Sequence, residues 1–135
     1  MPAKDYYHDS VVRSLEKDGW TIEAEQVRLE LENRWLWIDM QAVKSVVNRA
    51  ILIEVKGFQN MASPVDYLAA SVGKYVLYRA VLNYLQIEMQ LYMAVPVGAY
   101  YGILSEEIGL QVIQRTQIHL MTFDPDEEVV VQWIS

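Results

Sequence analysis

The sequence contains no cysteine. That excludes a disulfide framework, a thiolate zinc site and a thiol nucleophile together, and it suits a reducing compartment. Histidine occurs only at His8 and His119, too far apart for a helical pair of metal ligands. Glycine (6) and proline (4) are sparse, and no glycine-rich phosphate loop is present. No apolar run approaches the roughly 18 residues of a membrane-spanning helix, so no membrane association is expected. The opening Met1-Pro2-Ala3-Lys4-Asp5-Tyr6-Tyr7-His8 lacks the apolar core of a secretion signal, and a cytoplasmic location is the expectation. Positive charge is also short. Eleven Lys and Arg stand against 18 Asp and Glu, a net charge of −7. Non-specific nucleic-acid binding rests on basic side chains that neutralise phosphates. A role directed at DNA therefore needs a local basic patch, metal ions or a partner protein.

Apolar content is ample, at 53% with 11% aromatic residues. A chain of 135 residues with that content can bury a core as one domain, residues 1–135. No repeat, low-complexity tract or linker divides it.

Hydrophobic spacing predicts the elements. Residues 5–18 read as an amphipathic helix stopped by Asp18-Gly19. Residues 20–25 alternate as a half-buried strand, and 26–33 either extend it or form an irregular turn. Glu32-Asn33-Arg34 marks a hairpin. A second strand covers 34–40, with Trp35, Trp37 and Asp39 on one face and Leu36, Ile38 and Met40 on the other. Residues 42–48 are ambiguous. A third strand, 50–55, is apolar enough to be central. Ser63-Pro64-Val65-Asp66 starts a long helix reaching about Leu85. A fourth strand is expected at 86–95, a helical turn at 97–104 and a helix from Ser105-Glu106-Glu107 to about Gln114. Two more strands are expected at 117–123 and 129–134. A meander followed by a strand–helix–strand crossover predicts an α/β (α+β) mixed sheet with helices against it.

The chemistry concentrates at Ile53-Glu54-Val55-Lys56, read with Asp39. Strand residues two apart share a face, so Glu54 and Lys56 point the same way as Leu52, opposite to Ile51, Ile53 and Val55. Charged groups on a buried strand must be paired or bound to something. Asp39, Glu54 and the Val55 carbonyl could hold a hard cation such as Mg²⁺ or Mn²⁺, leaving room for water and a phosphate oxygen. Lys56 could then position that water or offset charge on a phosphodiester transition state. An ordinary ion pair between Glu54 and Lys56, with Asp39 as a turn residue, accounts for the same three residues.

Other candidates surround these. His8 and Glu16 on the first helix could add a ligand or a base, or be a partly buried histidine and a surface acid. Lys74 and Tyr78 are one turn apart on the long helix and, with Arg79 nearby, could meet a phosphate. Equally, they could be a rim lysine and a packed tyrosine. Trp35, Trp37 and several tyrosines read as core or interface, and His119 as structural.

Several of these segments carry a resemblance. Pro2-Ala3-Lys4-Asp5-x-x-His8-Asp9-x-Val11, Lys17-Asp18-Gly19-Trp20-x-Ile22 and Ile53-Glu54-Val55-Lys56-x-Phe58 are three of them. Gly73-x-Tyr75-x-Leu77-Tyr78-Arg79, Leu91-Tyr92-x-Ala94-Val95-Pro96 and Phe123-Asp124-Pro125-x-x-Glu128-Val129-x-x-x-Trp133-Ile134 complete the set. Together they span nearly the whole chain, which resembles the XisH family. Those are cyanobacterial controlling factors for excision of the fdxN element, a site-specific DNA rearrangement during heterocyst development. The resemblance implies the PD-(D/E)XK, restriction-endonuclease-like fold. It assigns a metal and catalytic site to Asp39, Glu54 and Lys56, with Asp39 and Glu54 as ligands of Mg²⁺ or Mn²⁺. The sequence departs from that pattern at Ile38, where the motif's name has proline. It departs again at Lys74, where a glutamine of a Q-x-x-x-Y pattern is expected; Tyr78 keeps its place.

The implied partners are DNA, directly or through another protein, an XisI-like companion and a separate site-specific recombinase; a homo-oligomer is expected. Two functions stay open at this point. One is an excision accessory factor with a Mg²⁺-dependent DNA endonuclease site. The other is a non-catalytic interaction module of the excision machinery that keeps the nuclease fold.

Overall fold

In the computed structural model, which describes residues 3–135, six strands lie in sequence order across one mixed sheet. They are β1 (Thr21–Leu31), β2 (Arg34–Lys44), β3 (Arg49–Val55), β4 (Gln90–Pro96), β5 (His119–Asp124) and β6 (Val129–Ile134). Pro2, in the first quoted motif, lies outside the described residues. β1, β2 and β3 form an antiparallel meander, β4 and β5 run parallel to β3, and β6 returns antiparallel to β5. The helices are α1 (His8–Lys17), α2 (Pro64–Tyr84), α3 (Val97–Tyr100) and α4 (Glu107–Thr116). α2 makes the crossover from β3 to β4, and α3 with α4 the one from β4 to β5. The expected mixed α+β sheet is what the chain forms. Among the described residues no helix is long and apolar enough to cross a membrane.

The sheet is buried on both faces. Val11 and Leu15 of α1 pack with Met40, Ile51, Ile53 and Val55 on one side. Leu68, Val72, Tyr75 and Leu82 of α2 pack with Leu52, Leu91 and Met93 on the other, joined by Val112 and Ile113 of α4. β3 feeds both cores by simple alternation, so Glu54, sharing Leu52's parity, faces α2. The helix ends expected from local chemistry are present. Ser63 Oγ accepts from the Asp66 amide at 3.3 Å, with Pro64 in the first turn. Gly19, at φ 92°, follows α1, and the Trp20 amide donates to the Leu15 carbonyl at 3.0 Å.

The meander takes the extended form of its first strand, one of the two alternatives expected, and lengthens its second strand beyond expectation. β1 runs on to Leu31 and β2 to Lys44, paired without a break from Val27↔Ile38 to Leu31↔Arg34. Asp39 therefore lies inside β2 rather than at its end. Ile38 packs on the α2 face, but Met40 packs on the α1 face, not beside it. The change of face lies opposite Gln26, which stands between the pairs Glu25↔Met40 and Val27↔Ile38 and adopts a left-handed φ of 55°; the register of the ladder itself shifts further back, between Ile22 and Ala24. β4 and β5 also begin later than expected, at Gln90 and His119. Gln86 (φ 59°) and Gln117 (φ 54°) are the left-handed residues that end α2 and α4. The Ile87 amide bonds back to Leu82 at 3.0 Å, and the Ile118 amide to Ile113 at 3.4 Å. Glycine usually fills this position.

Candidate functional site

β2 and β3 part at Asp39. Their ladder runs from Lys44↔Arg49 to Met40↔Ile53 and goes no further. On its other edge β3 stays in step with β4 through Val55↔Ala94, and the Lys56 amide donates to the Ala94 carbonyl at 2.9 Å. Inside the resulting fork, side chains replace the backbone ladder. The Val55 amide donates to Asp39 Oδ2 at 2.6 Å, and the Asp39 amide donates to Glu54 Oε1 at 3.3 Å. Buried amides are seldom left unpaired, so the fork itself fixes both carboxylates. Asp39 is 9% exposed and Glu54 2%.

α2 lies over this pair and adds a cation. Lys74 Nζ is 2.5 Å from Glu54 Oε2, whereas Lys56 Nζ is 4.0 Å from the same oxygen. The strand lysine is thus the second partner of Glu54, and the helix lysine the first. Tyr78, one turn along α2, places its ring centroid 5.3 Å from Lys74 Nζ.

Burial, and then the charge of Asp39, lift the Glu54 carboxyl from its ordinary 4.5 to about 7, although the Lys74 hydrogen bond and the lysine charges pull it down. Burial is the largest influence on the Lys74 ammonium and works against it, but the hydrogen bond to Glu54 and the negative charges of Glu54, Tyr78 and Asp39 together outweigh it and raise the pKa.

The donor set suits a hard divalent cation. Each carboxylate uses one oxygen on a backbone amide, which leaves Asp39 Oδ1 and Glu54 Oε2. The two acids also repel one another, which a cation between them relieves. Lys74 contests one of those two oxygens.

Asp39, Glu54, Lys56, Lys74 and Tyr78 are therefore brought together. His8 and Glu16 do not join them. His8 is 1% exposed, and its Nε2 lies 2.7 Å from Glu25 Oε1 on β1. Glu16 lies on the exposed side of α1, whose buried face carries His8, Val11, Ser14 and Leu15. Arg79 is committed elsewhere, donating to the carbonyls of Thr116 at 2.8 Å and Gln117 at 3.1 Å to close the end of α4. Two further acids take structural roles that sequence reasoning does not assign. Glu25 is the partner of His8, and nothing local marks it. Asp5 accepts from the Tyr7 amide at 2.9 Å and the Gly57 amide at 3.1 Å, tying the N-terminal segment to the residue after Lys56. Gly57 was the available signal, since a Cβ there would lie 2.7 Å from Asp5 Oδ1.

Comparison with known proteins gives a consistent picture. The XisH protein family matches residues 1–131. A solved XisH family protein from Nostoc punctiforme PCC 73102 is 29% identical with a TM-score of 0.89, over 97% of this chain and 100% of that one. A solved fdxN element excision controlling factor protein from Anabaena variabilis is 26% identical with a TM-score of 0.90, over 98% of this chain and 100% of that one. No curated protein matches the chain.

Proposed function

The chain belongs to the XisH family, and we propose that it serves DNA-element excision through a restriction-endonuclease-like metal site formed by Asp39, Glu54 and Lys56. The observation that carries this reading is the fork. Two strands open at a fixed point, two carboxylates share it, and Lys56 and Lys74 converge on the same glutamate. The Anabaena variabilis relative is an fdxN element excision controlling factor protein, and that supplies the biological direction.

In this reading Asp39 and Glu54 hold Mg²⁺ or Mn²⁺. Such an ion polarises a phosphodiester and lowers the pKa of a bound water. The protein's own part is positional. The amides of Val55 and Asp39 orient the carboxylates, and Lys56 stands where an ammonium can steady a water or a phosphate oxygen. Lys74 and Tyr78 form the helix wall of the site. Purified protein tested on supercoiled and linear DNA with Mn²⁺ should cut, and Glu54→Ala and Lys56→Ala should each abolish cutting. Cleavage unchanged from wild type in both variants removes the catalytic assignment.

A second reading has its own support. Trp35, Tyr84 and Tyr101 are exposed on a strongly acidic chain, and aromatic residues are enriched in interfaces. The protein would then be a non-catalytic module that engages an XisI-like protein, a recombinase or further copies of itself. A stable complex with such a partner, combined with no heat of Mn²⁺ binding, selects this reading.

A further inference from the structure

We propose that Lys74 occupies the cation's place on Glu54 and thereby couples divalent-ion binding to phosphodiester binding. When an ion takes Glu54 Oε2, the Lys74 ammonium transfers to a DNA phosphate. The proposal rests on the metal site described above and adds a switch to it.

The starting point is one oxygen. Glu54 Oε1 faces the Asp39 amide at 3.3 Å, and Oε2 faces Lys74 Nζ at 2.5 Å. A hard cation approaches a carboxylate oxygen to about 2.0–2.6 Å. The ammonium already stands at that distance, and two cations cannot share the space. Charge leads to the same conclusion. With both carboxylates ionised, Asp39 and Glu54 against Lys56 and Lys74 sum to zero. Adding a divalent ion while Lys74 stays would leave two uncompensated positive charges in a largely buried site, which is costly.

Burial decides which group yields. Glu54 is 2% exposed and is held by the fork, whereas the Lys74 side chain is 34% exposed on a flexible four-carbon stem. Lys74 can swing its head outward while the stem keeps its packing. The helix surface beside it is open, since a Cβ on Gly73 would meet no atom within 4 Å. Released, Lys74 lies on the same side as Lys56, itself 21% exposed. Two ammonium groups at the mouth of a fork suit a phosphodiester. Each ligand therefore supplies what the other's arrival leaves unmet, and the coupling is reciprocal.

Lys74→Gln tests this. Calorimetry would follow Mn²⁺ binding to wild type and variant, alone and with a short phosphorothioate duplex that carries the backbone charge and resists cleavage. Without DNA, Lys74→Gln should bind Mn²⁺ roughly 5- to 150-fold tighter than wild type. The duplex should tighten Mn²⁺ binding to wild type by a comparable factor and leave the variant almost unchanged. Melting provides an independent check that also reports folding. The metal-free variant should melt below wild type, because Glu54 has lost its partner, and saturating Mn²⁺ should erase the deficit. If the variant binds Mn²⁺ no tighter than wild type, the switch is wrong while the metal site stands. If neither protein binds Mn²⁺ with or without DNA, the metal site itself is wrong and the switch falls with it.

Discussion

Glu54 carries an acidic group through a pH range in which the unfolded chain has already lost its proton. Burial, followed by the charge of Asp39, raises it from 4.5 to about 7. Between those values the folded protein binds the proton and the unfolded chain does not, so stability falls as pH rises. The contribution is fully present below about 4.5, is lost through about 7, and is on the order of 3 kcal/mol. Metal-free protein should therefore lose stability between pH 5 and 8 through this group, and Glu54→Gln should remove that loss. His119 acts in the opposite sense, since burial, then Arg79 and Arg49, lower its pKa. Its contribution rises with pH up to the ordinary histidine range. Subtracting the variant's stability curve from that of wild type, by calorimetry across this range, isolates Glu54. A flat difference curve would mean that the carboxyl is not raised.

At the scale of the element, two helical glycines should respond oppositely to the same change. A Cβ on Gly73 of α2 meets nothing, so Gly73→Ala should stabilise by about 0.5–1 kcal/mol through the helix backbone alone. A Cβ on Gly109 of α4 would lie 2.6 Å from Leu104 Cα, so Gly109→Ala should destabilise by about 1–3 kcal/mol. Paired thermal melts check both signs. The ribbon's turning point offers a third case. Gln26 has a left-handed backbone and buried amide atoms without a partner. Gln26→Gly should raise the melting temperature by relieving the backbone and removing the orphaned amide.

These elements also show what local chemistry can reveal. The two faces of β3 were legible because alternation is a property of neighbouring residues. The start of α2 and the end of α1 were legible because Ser63, Pro64 and Gly19 are typical of their positions. The ends of α2 and α4 were not, because Gln86 and Gln117 stand where glycine would have announced the turn. The acids of the site could be named, but the fork that unites them could not. It depends on where the β2–β3 ladder stops, which is decided by pairing between strands and not by the residues of either one. The Lys74–Glu54 bond joins two elements, and no spacing rule within either one predicts it.

At the scale of the molecule, the net charge of −7 sets terms for any nucleic acid. In the proposed function that contact is local, at Lys56 and Lys74. Each neutralised phosphate contributes roughly −0.9 to the slope of log K against log salt, so two contacts predict a slope of roughly −2. Anisotropy titrations in graded NaCl measure it directly. A much steeper slope would point to a basic surface outside the fork, or to a bound partner that supplies one.

The fork has one further consequence, for spectroscopy. The Val55 amide donates to the Asp39 carboxylate at 2.6 Å instead of to a neighbouring strand. Its proton is therefore a built-in reporter, one residue from Lys56. Anything that draws electron density from Asp39, or moves it, will shift that single resonance and change its exchange with solvent. Occupancy of the proposed site can thus be followed at a named atom without a substrate or turnover.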